Sequence, residues 1–169
     1  MAVDKKATLT YVQLMKEDLA VFRLVPEDGI IPDYEAGQFI TVGMPIPSEG
    51  NKVVRRAYSM ASHPENKKFI ELVVRWVRRP LHGRVTTALF NSGEGDEVSW
   101  IPPTGVALKI NEKMGDGTKD DRRIVCVSGG TGIAPFMSFA RHLRAIGDKR
   151  EIVCLHGSSY VDELSYKDE

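Results

Sequence analysis

The sequence predicts two architectures in series: an antiparallel β-barrel with a capping helix, then an incomplete parallel α/β unit. Three observations carry that expectation. The first hundred residues break into short runs of β-formers separated by turn residues. One helical period follows them at Arg84–Phe90. From Ile124 the pattern becomes apolar run, glycine turn, helical period, apolar run, which is strand–helix–strand grammar.

Ala7–Met15 and Leu19–Val25 are rich in β-formers, and Pro26-Glu27-Asp28-Gly29 is turn chemistry. Gln38–Val42, Arg55–Met60 and Phe69–Val77 are the next strands. In the last, Ile70, Leu72, Val74 and Trp76 alternate with Glu71, Val73 and Arg75, the period of a strand with one buried face. Arg84–Phe90 sets Val85, Ala88 and Leu89 at helical spacing between Gly83 and Asn91-Ser92-Gly93. Val98–Ile101 is a strand stopped by Pro102-Pro103-Thr104-Gly105. Lys109–Arg123 is polar, with Gly115-Asp116-Gly117 at its centre, and reads as a linker or exposed loop. Ile124–Ser128 and Ile152–His156 are continuous apolar runs of the kind buried on both faces of a parallel sheet. Between them Phe136, Met137, Ala140 and Leu143 mark a helix ending at Gly147, and Ser159 is a candidate cap for a further helix. The expected division is 1–108 for the barrel, 109–123 for the linker and 124–169 for the first part of an α/β domain. One strand–helix–strand unit cannot cover both faces of a parallel sheet. An open edge is therefore expected, and with it a dimer or a mobile second unit.

Composition narrows the function. The 169 residues carry no net formal charge and no apolar run long enough for a membrane span. Met1–Lys6 lacks the apolar core of a signal peptide, so a soluble cytoplasmic protein is expected. Cys126 and Cys154 have no metal spacing and read as buried free thiols; no metal is expected. His63, His82, His142 and His156 lack partner spacing and read as structural or surface residues. Charge is unevenly spread: −4 over residues 1–51, +7 over 52–84 and −3 over 85–169. The basic block suits an anionic ligand or an acidic partner. It has no interleaved aromatics, so nucleic acid is not expected.

Three short motifs hold chemistry. Arg56-Ala57-Tyr58-Ser59 lies on a strand, with Arg56 and Tyr58 on one face and Ala57 and Ser59 on the other. A guanidinium takes a phosphate and a phenol offers a stacking platform, although on composition alone the plain reading, an exposed Arg and a half-buried Tyr, is favoured. Gly83-Arg84-Val85-Thr86 opens a helix, whose free N–H groups and hydroxyl suit a pyrophosphate or plain capping. Ser128-Gly129-Gly130-Thr131-Gly132-Ile133-Ala134-Pro135 joins strand to helix; it is neither a GxGxxG fingerprint nor a Walker loop.

The order RxYS, GxxT, GGTGIAP resembles that of the ferredoxin–NADP⁺ reductase-like flavoproteins. Ala36-Gly37-Gln38-Phe39, Gly95-Asp96-Glu97-Val98, Pro103-Thr104-Gly105 and His156-Gly157-Ser158-Ser159 extend the likeness from about residue 8 to the end. The resemblance implies a flavin-binding β-barrel followed by part of an NAD(P)-binding domain. It implies that Arg56 binds flavin phosphate, that Tyr58 stacks on the isoalloxazine and that Ser59 hydrogen-bonds near its reactive nitrogen. It places Ala57 in the same strand and Val73, Val74, Arg75 and Trp76 along the flavin. Gly83, Arg84, Val85 and Thr86 match the pyrophosphate-binding helix start. Thr131 matches a threonine that touches flavin or nicotinamide, Gly130 and Gly132 the turn beneath the NAD(P) pyrophosphate, and Ser158 and Ser159 the end of the second nucleotide strand. FAD is expected rather than FMN, with NAD(P)H as substrate and a ferredoxin or flavodoxin as acidic acceptor, met by Arg78 and Arg79. NAD or NADP stays open: the resemblance implies an Arg for the 2′-phosphate in some members where this chain has Ser159, and in others serines there with the cation supplied from a later strand. The alternatives are the reductase component of a mono- or dioxygenase, and a flavin-binding module inactive with dinucleotide.

Overall fold

The computed structural model describes residues 4–78, 83–104 and 108–169. Arg79, His82 and Gly105, singled out in the sequence, lie outside the described residues. Six antiparallel strands form the first unit: β1 (Lys5–Lys16), β2 (Leu19–Pro26), β3 (Phe39–Ile46), β4 (Lys52–Ser59), β5 (Ile70–Arg75) and β6 (Glu97–Thr104). Their order is β4-β3-β6-β1-β2-β5. The two outer strands meet where Met60 bridges Leu72 and the Ala61 N–H donates to the Glu71 carbonyl at 2.8 Å, which closes the barrel. Its interior is apolar: Phe22, Leu24, Ile40, Leu72 and Trp100 are each at most 1% exposed. Each such side chain contributes about 1.5–3 kcal/mol by leaving water. Helix α1 (Arg84–Phe90) caps the barrel by burying Val85 and Leu89.

Two strands depart from the sequence reading. Strand β6 continues through Pro102 and Pro103 to Thr104. Ile101 pairs with Thr41 and Thr104 with Phe39, so the prolines sit at a register shift, where the ladder is interrupted and a missing N–H is tolerated. Strand β5 ends at Arg75 and is buried on both faces. Ile70, Leu72 and Val74 face the barrel core, and Val73 packs with Leu19, Val21, Ala61, Ile133, Ala134 and Met137. The second face is covered because the α/β unit docks there.

That unit holds β7 (Ile124–Gly129), α2 (Ala134–Ile146) and β8 (Ile152–Gly157). The strands pair in parallel, Ile124 with Ile152 through Gly129 with Gly157. Helix α2 ends at Gly147 (φ +73°) and turns Met137, Phe139 and Leu143 inward. The expectation of two-sided burial fails. Val125, Val127 and Leu155 are 58%, 70% and 56% exposed, because α2 covers one face of the pair and the other stays open. Cys126 is buried, which pushes its thiol up to about 11, while its register partner Cys154 is exposed rather than buried. Ser159 caps no helix: Val161–Glu163 is a single 3₁₀ turn without a side-chain cap. Residues 109–123 form the expected loop, exposed except at Ile110 and at Asp120, whose carboxylate takes Arg122 at 2.7 and 2.8 Å.

Candidate cofactor site

Strand β4 is an outer strand of the sheet and presents the Arg56–Ser59 motif at its C-terminal end. Pairing with β3 sets Arg56 opposite Val42 and Tyr58 opposite Ile40. Arg55 is held by Asp4. Arg56 is exposed, donates from Nη1 to the Arg55 carbonyl at 2.8 Å, and has no carboxylate partner among the described residues. The Tyr58 hydroxyl is buried without a hydrogen-bond partner among them. Burial pushes this phenol up to about 12, against the lowering charge of Arg56. An unsatisfied buried hydroxyl costs about 1–3 kcal/mol, which a polar ligand atom would recover. Ala57 and Ser59 are exposed.

The next predicted residues are more heavily engaged. The side chains of Val73 and Val74 are spent on packing. Arg75 lies against Asp18 at 3.1 Å and Glu163 at 3.0 Å. Trp76 donates from Nε1 to Thr87 at 2.9 Å and stacks on Phe90 with ring centroids 5.5 Å apart. Arg84 is bound to Glu49 at 2.8 Å. Thr86 donates its hydroxyl to the Gly83 carbonyl at 2.9 Å and accepts the Val77 N–H at 3.3 Å, which fixes the start of α1. Gly83 is required there: a Cβ would stand 2.5 Å from Thr86 Oγ1 and 2.9 Å from Val77 Cβ. Val85 is buried in the barrel core.

The glycine turn lies on the same side. Ala61, two residues after Ser59, packs with Ile133 and Ala134, which follow the turn directly. Gly130 has φ +50° and opens a 3₁₀ turn to Ile133. A Cβ at Gly129, Gly130 or Gly132 would meet nothing within 4 Å, so the main chain here is open to close approach. Thr131 is half-buried, Ser159 is exposed, and Ser158 donates to the Tyr160 carbonyl at 2.6 Å. An unpartnered phenol, an unpaired guanidinium and an uncovered glycine turn together fit a phosphate-bearing aromatic cofactor.

Sequence reasoning missed the joint that holds these parts together. Glu71 is 1% exposed, and its carboxylate accepts from Arg23 at 2.7 Å, Arg141 at 2.8 Å and the Tyr166 hydroxyl at 2.8 Å. Arg141 also grips Glu169 through two 2.7 Å bonds and the Ala61 carbonyl at 2.9 Å. Burial favours the neutral acid at Glu71, but Arg141, Arg23 and Tyr166 outweigh it and hold the carboxyl below its ordinary value. The available signal was a lone acid in the middle of the apolar run Ile70–Val74.

Residues 6–107 match the model of the oxidoreductase FAD-binding domain, and residues 126–169 that of the oxidoreductase NAD-binding domain. The chain belongs to the ferredoxin–NADP⁺ reductase-like flavoproteins. Within this family it is 32% identical over 141 residues to the flavohemoprotein of Bordetella pertussis, covering 82% of this chain and 33% of that protein. The ferredoxin–NADP reductase of Azotobacter vinelandii is 30% identical over 137 residues, covering 79% and 47%. The reductase component of propane 2-monooxygenase from Mycolicibacterium goodii is 27% identical over 169 residues, covering 98% and 44%. The FAD/NAD-binding domain of nitric oxide dioxygenase from Vibrio cholerae shares the fold, with a TM-score of 0.82 at 24% identity over 97% of this chain and 66% of that one. The chain thus spans a third to a half of the length of these curated relatives. No helix among the described residues is long and apolar enough to cross a membrane.

Proposed function

We propose that this chain is the FAD-binding part, with the beginning of the NAD(P)-binding part, of an oxidoreductase that passes electrons from NAD(P)H to a one-electron carrier in the cytoplasm. The domain division is 1–108, 109–123 and 124–169. The observation that carries the reading is the Arg56–Ser59 strand end, with a guanidinium that has no carboxylate partner and a buried phenol that has no hydrogen-bond partner among the described residues, set beside the glycine turn. Bound flavin supplies the conversion of a hydride into single electrons. The protein's part is placement. Arg56 takes a phosphate as a charge-assisted pair worth about 1.5–3 kcal/mol. Tyr58 gives a ring face and a hydroxyl, and Ser59 an exposed donor. Thr86 and Gly83 fix the first turn of α1, whose N–H groups of Arg84 and Val85 face a pyrophosphate. Val73, Val74, Arg75 and Trp76 act through their main chain and through the shape of β5. Gly130, Thr131 and Gly132 receive the dinucleotide, with Ser158 and Ser159 beyond.

The acceptor is an acidic ferredoxin or flavodoxin. Among the described residues of the basic block, Arg78 lies 3.0 Å from Glu17 and Arg56 is given to the phosphate, so Lys52 and Lys68 remain for it. A second reading, the reductase component of an oxygenase, is favoured by the likeness to the propane 2-monooxygenase reductase across 98% of this chain. The two are separated by which carrier, ferredoxin or oxygenase, reoxidises the protein. The test is anaerobic mixing of the flavin-loaded chain with NADH and with NADPH. Loss of the flavin's visible absorption is the expected result. Flavin that binds but never bleaches reduces the chain to a flavin-binding module, and no flavin at all overturns the reading.

A further inference from the structure

His156 reads in the sequence as one histidine among four without a partner. In the structure it stands at the C-terminal end of β8, in register with Ser128 at the end of β7. Its Nε2 is 3.0 Å from the carbonyl oxygen of Gly130. A carbonyl can only accept, so Nε2 carries the hydrogen, and Nδ1 is left as the acceptor in the neutral ring. Gly130 is the residue at φ +50° that turns the chain out of β7 into the 3₁₀ turn before α2. Its peptide with Thr131 is planar and trans, so the Gly130 C=O and the Thr131 N–H point in opposite directions. Gripping the carbonyl from β8 therefore aims the Thr131 N–H away from β8. Besides the bonds of its own 3₁₀ turn, His156 is the side chain that bonds this peptide among the described residues, and a Cβ at Gly129, Gly130 or Gly132 would meet no atom within 4 Å.

We propose that His156 is the positioning residue of the glycine turn, fixing the Gly130–Thr131 peptide so that its N–H is presented to the pyrophosphate of the dinucleotide. The proposal rests on the dinucleotide-binding reading above. It makes β8 more than the second strand of a sheet, because β8 also sets the orientation of the turn that leaves the first.

The test compares the 169-residue chain with His156→Ala, His156→Phe and His156→Gln, since glutamine alone among the three keeps a terminal N–H donor. Amide hydrogen exchange of residues 129–133 is read first, and dissociation constants for NADH and NADPH second. A lost hydrogen bond of ordinary strength speeds local exchange by roughly 2- to 12-fold in the alanine and phenylalanine variants, and glutamine restores it. The dinucleotide constants weaken by a similar factor in the same two variants. If the wild-type chain binds neither dinucleotide while the exchange pattern holds, positioning stands and the dinucleotide reading falls. Exchange at 129–133 that is equal in all four proteins, or an alanine effect that glutamine leaves uncorrected, overturns the proposal.

Discussion

Tyr58 combines an apolar ring against the barrel core with a buried hydroxyl that has no partner among the described residues. Removing that hydroxyl should therefore not harm the flavin-free fold. Tyr58→Phe is expected to leave its melting temperature unchanged or raise it, since an unsatisfied hydroxyl costs about 1–3 kcal/mol, and to weaken FAD binding several-fold. A lower melting temperature with FAD affinity intact would reassign the hydroxyl to structure. Gly83→Ala behaves oppositely: its Cβ would stand 2.9 Å from Val77 Cβ, so thermal unfolding should show a loss of about 1–3 kcal/mol. The cysteines divide by burial. Cys154 should react with a thiol reagent first, and Cys126 only as the unit opens, which mass spectrometry of the modified peptides checks. At this scale the RxYS motif is readable because its residue types and spacing are local. The orphaned phenol is not, because it depends on which neighbours fail to reach it. Cys154 misleads because an apolar run implies burial only where a second layer lies above it.

Strands β1 to β4 were legible because Pro26–Gly29 and the Arg55–Met60 run mark turn and strand from local residue types. Strand β5 was misread because its alternation hid a second buried face, and Glu71 on that face is the hinge of the assembly. Its carboxyl is held below the ordinary value in the folded state. The stability it lends is therefore fully present above the unfolded carboxylate range, near pH 4.5, and is lost as pH falls through the lower folded value. Glu71→Gln should flatten the acid limb of a stability–pH curve without abolishing it, since Glu163 and Glu169 are also held low by Arg75 and Arg141. Arg141→Met leaves the buried carboxylate short of a partner and should cost up to about 3–5 kcal/mol, with α2 exchanging faster than the barrel. Strands β7 and β8 expose Val125, Val127 and Leu155 on one face. Such a patch recruits apolar surface. Sedimentation should show self-association of the 169-residue chain that Val127→Lys reduces; a monomer at all concentrations would show the patch to be inert.

Over the whole molecule, the charge segregation of the sequence is largely settled inside the fold. Asp4, Glu17, Asp18, Asp33 and Glu49 from the acidic first segment pair with Arg55, Arg78, Arg75, Lys67 and Arg84 of the basic block. A count of charges along the chain cannot reveal this, because the partners lie far apart in sequence and meet only when the barrel closes. Among the described residues of the basic block, Lys52, Arg56 and Lys68 have no carboxylate partner, and Arg56 is the one in the motif where an anionic cofactor would sit. The most direct test of the central claim is titration of the purified chain with FAD, followed by visible absorption and by quenching of flavin fluorescence, beside Arg56→Ala. The account predicts saturable uptake of one FAD per chain, weakened roughly 10- to 150-fold by the substitution, as loss of a charge-assisted bond of about 1.5–3 kcal/mol requires. A chain that takes up no FAD, or an Arg56→Ala variant that binds it as tightly as the wild type, would contradict it.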